Sequence, residues 1–429
     1  MQHFVTFIFC LLWAFSAFAQ ADTTQRVIYG RKNSHVQEEK PYVIMISADG
    51  FRHDYAEKYG AHTLLSLSEQ GVQTESMIPS FPSKTFPNHY TLVTGLYPAH
   101  HGLVSNNFYD RQRQEFYSIA QRDKVQDGSW YGGVPLWVLA EQQQMLTASY
   151  YWVGSEAAIK GIHPTYYYRY SDKIPVDRRI QTVVDWLNLP KDRRPHFISF
   201  YFPEVDYAGH RFGPNAKETK DAVLYIDHWT KKLTEAVATT GLPVNFIFVS
   251  DHGMTEVDTQ NTLTVPVEIN PSKFTLVEGD VMVELHAKDK KDIRKMYEEL
   301  KKKEEGFVTY LKSEVPYHLH YGAKNDSLNR IGDIVLLAKH PKIFNFSGNT
   351  PLPGHHGYDP VAVKDMNTVF YAWGPAFRQA QKIASFENIH VYSLVTKLLG
   401  LPFSHHIDGT SRLAELILKQ EENKLQKQE

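Results

Sequence analysis

Cysteine is almost missing from this sequence: one residue, Cys10, in 429, and it falls in an apolar N-terminal run. The rest of the chain therefore has no disulfide, no thiolate nucleophile and no cysteine-ligated metal. Neither sign of charge is in surplus, since 46 Lys and Arg against 48 Asp and Glu leave a formal charge of −2. Without a basic field there is no electrostatic basis for holding polymeric nucleic acid, and none is expected as a partner. After residue 19 no apolar stretch is long enough to span a bilayer, so no stable membrane insertion is expected once the first segment is removed. G-x-S-x-G and G-x-x-x-x-G-K-[ST] are both missing, which excludes the serine-hydrolase elbow and the P-loop.

Aromatic and imidazole side chains are abundant instead: 25 Tyr, 24 Phe, 7 Trp and 21 His. With 42% hydrophobic and 22% charged residues, the composition is that of a folded protein and not of a collagen-like or disordered one. Residues 4–19 (FVTFIFCLLWAFSAFA) carry no charge and end in Ala17-Phe18-Ala19, a small-x-small pattern. They read as part of a signal peptide covering 1–19, which implies a secreted or periplasmic protein; a retained N-terminal anchor is the alternative. Residues 20–40 read as a linker, 41–412 as one α/β domain, and 413–429 as a charged helix and tail with a solvated face.

Short apolar runs at Tyr42–Ser47, His196–Phe202, Val244–Ser250, Ile331–Leu337 and Thr368–Trp373 have the continuous hydrophobicity of buried parallel strands. Helical patterns lie between them, at 63–70, 135–143, 176–187, 216–239, 291–303 and 388–399. The alternation predicts a doubly wound, mostly parallel sheet with helices on both faces. Segments 110–170 and 255–345 fit it less well and are expected to form cap insertions.

Three carboxylates follow three of these runs: Asp49 after YVIMISA, Asp206 after HFISFYFPEV, and Asp251 after VNFIFVS. Ligands of open α/β sheets bind beyond the carboxyl ends of the strands, so all three are expected in one crevice. Close carboxylates repel one another, and a metal cation is the usual remedy. Histidines accompany them in Asp206-x-x-x-His210, Asp251-His252 and Gly354-His355-His356-Gly357. Oxygen and imidazole donors without cysteine suit zinc, with manganese as the rival, and two ions about 4 Å apart would use the donors on offer. Taken singly, each of these residues is as readily a helix cap or a packed side chain; the argument rests on the set.

The segment Pro79-Ser80-Phe81-Pro82-Ser83-Lys84-Thr85-Phe86-Pro87-Asn88-His89-Tyr90 supplies a nucleophile candidate. Pro87 suits the first position of a helix, which puts Thr85 just before a helix N-terminus, where free N–H groups and the dipole favour a phosphate. A hydroxyl bound to a metal there becomes an alkoxide, whereas a hydroxyl serving only as an N-cap does no chemistry.

With these motifs in view, the chain resembles the nucleotide pyrophosphatase/phosphodiesterase family of the alkaline phosphatase superfamily. The resemblance is carried by Asp49-Gly50-Phe51-Arg52, Lys84-Thr85-Phe86-Pro87-Asn88-His89, Asn106-Asn107-Phe108-Tyr109-Asp110, Glu204-Val205-Asp206-Tyr207-Ala208-Gly209-His210, Ser250-Asp251-His252-Gly253-Met254 and Gly354-His355-His356-Gly357-Tyr358-Asp359, in the family's order. It implies an alkaline-phosphatase-like fold and two zinc ions. One ion would be held by Asp206, His210 and His356, the other by Asp49, Thr85, Asp251 and His252, with His355 a bystander. It further implies attack by Thr85 on phosphorus through a phosphothreonine intermediate. Asn106 and the Phe86 N–H would hold a non-bridging oxygen. Val205 replaces the family's usual proline, at a position that is not a ligand.

The same resemblance assigns a base-binding pocket to Phe86 and Tyr170, with Trp152 as a further wall and Lys124 against a distal phosphate. Nucleotide phosphodiesters, cleaved to nucleoside 5′-monophosphates, are the expected small-molecule substrates. Phosphomonoesters or choline phospholipids on the same metals are the alternative, since an aromatic wall also suits a quaternary ammonium; an inactive metal-binding relative is the third. His318 and His320 are expected to be structural, on an extended segment, and Arg52 and Lys84 to touch phosphate or form salt bridges near the site.

Overall fold

The computed structural model describes residues 22–420; the expected signal segment and the end of the expected tail, 421–429, lie outside the described residues. A nine-stranded sheet forms the centre, in the order Arg26–Val27, Tyr166–Tyr168, Thr147–Tyr150, Phe197–Phe202, Tyr42–Ala48, Val244–Val249, Phe370–Trp373, Val72–Thr74, Gln381–Ile383. The five strands from Tyr166–Tyr168 to Val244–Val249 run parallel.

The pleat divides each central strand between two apolar layers. Val43, Met45, Ile247 and Val249 face a layer holding the helices Thr85–Thr94 and Val391–Leu399. Ile44, Ile46, Phe246 and Phe248 face the opposite layer, with the helices Val176–Leu187 and Lys217–Ala238. Burial on both faces is why these strands read as unbroken apolar runs. The pleat also decides chemistry: Ser47 and Asp49 continue the Val43–Met45 face, and Asp251 continues the Ile247–Val249 face, so both carboxylates emerge on the side of the Thr85–Thr94 helix.

Four expectations need correction. Ile331–Leu337 is not a strand of the central sheet; Ile334–Ala338 belongs to a separate antiparallel sheet with Phe274–Val277, Met282–Ala287 and Phe307–Leu311. That sheet, with the helix Ile293–Lys301, buries its own cluster around Val283, Leu285, Leu300 and Leu336. A locally closed core makes an antiparallel strand as apolar as a parallel one. The Thr368–Trp373 run supplies Phe370–Trp373, which joins the central sheet antiparallel to Val244–Val249. Within 110–170, Thr147–Tyr150 and Tyr166–Tyr168 are central strands and not cap, their tyrosines stacked across the ladder (Tyr150 on Tyr168, 4.4 Å). The expected tail begins as a helix, Arg412–Ile417, which has the expected solvated face at Arg412, Glu415 and Leu416 but also buries Leu413, Ala414 and Ile417 in the main core. Among the described residues no helix is long and apolar enough to cross a membrane.

Candidate active site

Every polar group singled out around the three carboxylates lies beyond the carboxyl ends of the parallel strands. Asp49 directly follows Tyr42–Ala48, and Asp251 lies just past Val244–Val249. Asp206 and His210 sit one turn apart on the helix Glu204–Phe212, which opens immediately after Phe197–Phe202. Spacing i, i+4 puts them on one helix face. Gly50 lets these elements close up. It has φ +70°, and a Cβ there would stand 2.8 Å from the Asp206 Cα, so the Asp49 turn and the Asp206 helix meet only through a glycine.

Two groups form. Asp206 Oδ1 lies 3.4 Å from His210 Nε2 and 3.7 Å from His356 Nε2, and the two Nε2 atoms are 3.0 Å apart. Around His252 Nε2 stand Asp251 Oδ2 at 3.0 Å, Thr85 Oγ1 at 3.2 Å and Asp49 Oδ1 at 3.3 Å. The structure thus brings all seven expected donors into one crevice, where Asp206 lies close both to His210 and His356 and to Asp49 and His252.

The fit of these donors to cations can be judged from their hydrogen bonds. His210 donates Nδ1–H to the Gly354 carbonyl (2.7 Å), His252 to its neighbour Gly253 (2.9 Å) and His356 to Ser83 (2.7 Å). A carbonyl only accepts, so each imidazole keeps an Nε2 lone pair, and all three lone pairs point inward. Asp49 Oδ1 and Asp206 Oδ1 are buried without a hydrogen-bond partner, and Asp251 Oδ2 faces only the His252 and His89 imidazoles, at 3.0 and 3.3 Å. Acceptors facing acceptors in a buried site demand positive charge, which a proton or a metal ion supplies. The acid–base properties follow. Burial, then repulsion from Asp251 and Asp206, pushes the Asp49 carboxyl well above the usual range. Burial also opposes ionisation of Asp251, but the His252 and His89 imidazoles override it and hold that carboxyl low. Burial works to lower His252, and Asp251 reverses this, holding the imidazole up at about 9.

The nucleophile helix begins two residues earlier than Pro87 at its first position implies. Thr85 is its first residue, Lys84 is the cap position, with extended backbone and no side-chain cap bond, and Pro87 is third. The Thr85 hydroxyl is therefore not used as a cap; its contact is His252. The expected row of free amides is shorter than predicted. Pro87 has no N–H, and the Phe86 N–H donates to Asn106 Oδ1 at 2.9 Å. That bond occupies the Phe86 N–H and turns the Asn106 Nδ2 the other way, leaving Nδ2 free to donate.

A cavity of about 280 Å³ opens from Thr85, Asp49 and Asp206, with Phe86, Tyr151, Trp152, Tyr170 and Tyr201 among its walls. Tyr170 packs edge-on to Tyr151 (5.3 Å) and Tyr201 (6.3 Å) and is 41% exposed, hence reachable by a ligand. Trp152 is a wall and also a support: its Nε1–H donates to the His89 carbonyl at 3.0 Å. Lys124 is not in this cavity. It pairs with Glu115 and lies 5.4 Å over the Trp130 ring. On the short helix Arg122–Val125 it is Arg122 and Val125, three apart and on one face, that reach the pocket. A larger cleft of about 490 Å³ lies around Lys40, Lys191 and Arg194, at the opposite ends of the strands, and gathers none of these groups.

Arg52 is taken by ion pairs with Asp54 (2.6 Å) and Asp365 (3.2 Å). His318 and His320 are not on an extended segment. The turn Tyr317–Leu319 sends His318 to Asp359 (2.9 Å) and stacks His320 on Tyr97 (3.9 Å). Lys84 is held by Asp280 (2.7 Å), whose other oxygen takes His355 Nδ1 (2.6 Å).

Two supporting residues escaped the sequence reading. Tyr201 donates its hydroxyl to Asp49 Oδ2 at 2.5 Å. His89 reaches Asp251 Oδ2 (3.3 Å), Ser47 Oγ (2.8 Å) and the Thr85 carbonyl (3.0 Å), so both its nitrogens are engaged within the protein. Tyr201 could have been found by the pleat, since it shares a strand face with Ser199 while Phe200 and Phe202 take the other.

The sequence pattern of the type I phosphodiesterase / nucleotide pyrophosphatase family matches residues 43–359. The chain belongs to this family. It is 34% identical over 397 residues to ectonucleotide pyrophosphatase/phosphodiesterase family member 1 of Rattus norvegicus, covering 89% of this chain and 43% of that protein. It is also 34% identical over 378 residues to venom phosphodiesterase 2 of Crotalus adamanteus, covering 85% of this chain and 46% of the relative. The family member thus spans less than half the length of these curated relatives. Among solved structures it is similar to murine ectonucleotide pyrophosphatase / phosphodiesterase 5, determined as an inactive threonine-to-alanine form in complex with AMP. The TM-score is 0.81 at 27% identity, over 88% of this chain and 100% of that one. The human counterpart gives 0.80 at 26% identity, over 88% and 99%. The alkaline-phosphatase-like fold expected from the motifs is the fold observed.

Proposed function

We propose that the protein hydrolyses phosphodiester and pyrophosphate bonds of nucleotides, releasing nucleoside 5′-monophosphates, as a secreted or periplasmic two-zinc enzyme with Thr85 as nucleophile. The observation that carries this reading is the gathering of three buried carboxylates and three inward Nε2 lone pairs in one crevice, with a threonine hydroxyl at a helix start in contact with one of them. Asp206, His210 and His356 would hold one ion, and Asp49, Thr85, Asp251 and His252 the other. When bound, the ions supply the positive charge that favours an ionised Thr85 hydroxyl, offsets charge on the leaving oxygen and eases loss of a proton from water.

The chain's own residues do the rest. Phe86 and Tyr170 take the base between aromatic faces, a contact worth about 1–3 kcal/mol. Asn106 Nδ2 donates to a non-bridging oxygen, held in place by the Phe86 N–H. Thr85 Oγ gives up its proton and bonds to phosphorus as the P–O bond to the leaving group breaks; the leaving oxygen takes up a proton. Water then attacks the phosphothreonine, the 5′-monophosphate departs, and the hydroxyl is restored. The inactive threonine-to-alanine relative with AMP supports both the nucleophile and the product class.

A substrate panel on the zinc-loaded chain tests this. Nucleotide esters should exceed bis-p-nitrophenyl phosphate, p-nitrophenyl phosphate and p-nitrophenyl phosphorylcholine in kcat/KM. EDTA should abolish turnover and zinc restore it. Preference for the phosphorylcholine ester would turn the aromatic wall into a choline pocket, and restoration by magnesium but not zinc would remove zinc from the reading.

A further inference from the structure

The residue before Thr85, Lys84, lines a second chamber. A space of about 330 Å³ lies between the nucleophile segment and the inserted antiparallel sheet, lined by Lys84, Asn106 and Gly357 on one side and by Glu278, Asp280 and Glu284 on the other. Phe86 lines the aromatic pocket and Asn106 lines this chamber, and the two are joined by the Phe86–Asn106 hydrogen bond. The residues on either side of Thr85 thus line different compartments, Phe86 the aromatic one and Lys84 the acidic one.

The charges of the second compartment do not cancel. Its one cation, Lys84, is taken by Asp280. Glu278 stands at the exposed rim. Glu284 is 1% exposed; its Oε1 accepts from the Tyr321 hydroxyl (3.1 Å) and the Gly332 N–H (3.3 Å), while Oε2 is buried with no partner. Burial pushes its carboxyl up to about 7. A buried carboxyl with one unused oxygen, on the wall of a polar cavity, lacks a hydrogen-bonding partner that a ligand could provide.

We propose that this chamber receives the leaving group, and that its carboxylates favour uncharged leaving groups bearing hydroxyl or amino donors over pyrophosphate, making dinucleoside phosphates better substrates than nucleoside triphosphates. The assignment rests on the proposed function: with the base in the aromatic pocket, the other ester substituent has this compartment beside it. A nucleoside offers hydroxyl donors to Glu284 and Glu278. A pyrophosphate brings several negative charges against them, with Lys84 already neutralised.

Adenylyl-(3′,5′)-adenosine and ATP both leave AMP on Thr85, and since their departing groups differ in leaving ability as well as charge, the change of their ratio in chamber variants isolates the effect. With the zinc-loaded full chain, kcat/KM for the dinucleotide should exceed that for ATP by about tenfold, a gap that narrows with salt. Glu284→Gln and Glu278→Gln should each raise the ATP-to-dinucleotide ratio by about threefold or more. Glu278 is a surface residue, so its variant remains informative if the Glu284 variant does not fold. An ATP value equal to or above the dinucleotide's, or a ratio unmoved in the folded variants, overturns the chamber assignment while leaving the proposed function in place. Failure to hydrolyse either substrate, or p-nitrophenyl thymidine 5′-phosphate as reference, overturns both.

Discussion

Tyr201→Phe removes one oxygen atom from the protein and should weaken metal binding more than a change of that size elsewhere. The half-buried ring packs edge-on to His89 (5.2 Å) and to Tyr170 (6.3 Å), and phenylalanine preserves both contacts. The hydroxyl is what changes: it donates to Asp49 Oδ2 at 2.5 Å. Asp49 Oδ1 already has no partner, so without Tyr201 neither oxygen of this buried carboxylate is satisfied by the protein. A hydrogen bond to a charged group is worth about 1.5–3 kcal/mol, which corresponds to a loss of about 10–100-fold in affinity at the Asp49–Asp251–His252 site. The sign of the pH dependence follows. Burial and the neighbouring carboxylates already raise the Asp49 carboxyl, so protons compete with the metal, and losing the donor raises it further. The affinity deficit should therefore widen as pH falls. Competition titration of zinc against a chromophoric chelator at pH 8 and pH 6, on wild type and variant, measures it. Equal affinities at both pH values, in a variant that melts normally, would refute the idea that Tyr201 tunes Asp49.

Thr85→Ala should reduce turnover to background while leaving zinc stoichiometry close to wild type, read by metal analysis; surviving hydrolysis would sink the covalent route. Tyr170→Ala should raise KM for nucleotide esters with little change for bis-p-nitrophenyl phosphate, and equal loss on both would make Tyr170 a packing residue. Acid should destabilise the fold. Burial lowers His101 and His286 to about 3 and His196 to about 4, so on unfolding between about pH 6 and 5 each takes up a proton that the native state refuses. Glu284 acts in the opposite sense, since its raised carboxyl is protonated in the native state first and adds stability as pH falls below 7. Among these four groups the histidines outweigh the carboxyl, so together they cost stability as pH falls through that window, measurable by denaturant titration. A flat profile there would contradict the burial of these histidines.

The strand-end carboxylates, the i, i+4 pair Asp206 and His210, and the threonine beside a helix start were legible because each depends on local periodicity. The antiparallel placement of Phe370–Trp373 and Ile334–Ala338 was not, because a strand buried in any sheet has the same apolar run. Lys124 was misplaced for a related reason: two residues along a single helical turn separate Arg122, which faces the pocket, from Lys124, which faces Trp130. Arg52 has a suitable charge near the site, but its pairing with Asp54 and Asp365 is a matter of packing.

By itself the sequence determined the donor chemistry. With the only cysteine in the N-terminal segment, and with aspartate and histidine grouped at strand ends, the metal donors could only be oxygen and imidazole, and the ordered motifs tied them to one family. Only the tertiary structure decided where unspent hydrogen-bonding capacity lies. Which Asp oxygens lack partners, which Nε2 lone pairs face inward, that Tyr201 and His89 brace two of the carboxylates, and that an acidic chamber adjoins the aromatic one all depend on residues up to several hundred positions apart meeting in one crevice. The reason is physical: residue type and spacing set what a side chain can donate or accept, while whether that capacity is already satisfied depends on its neighbours in space.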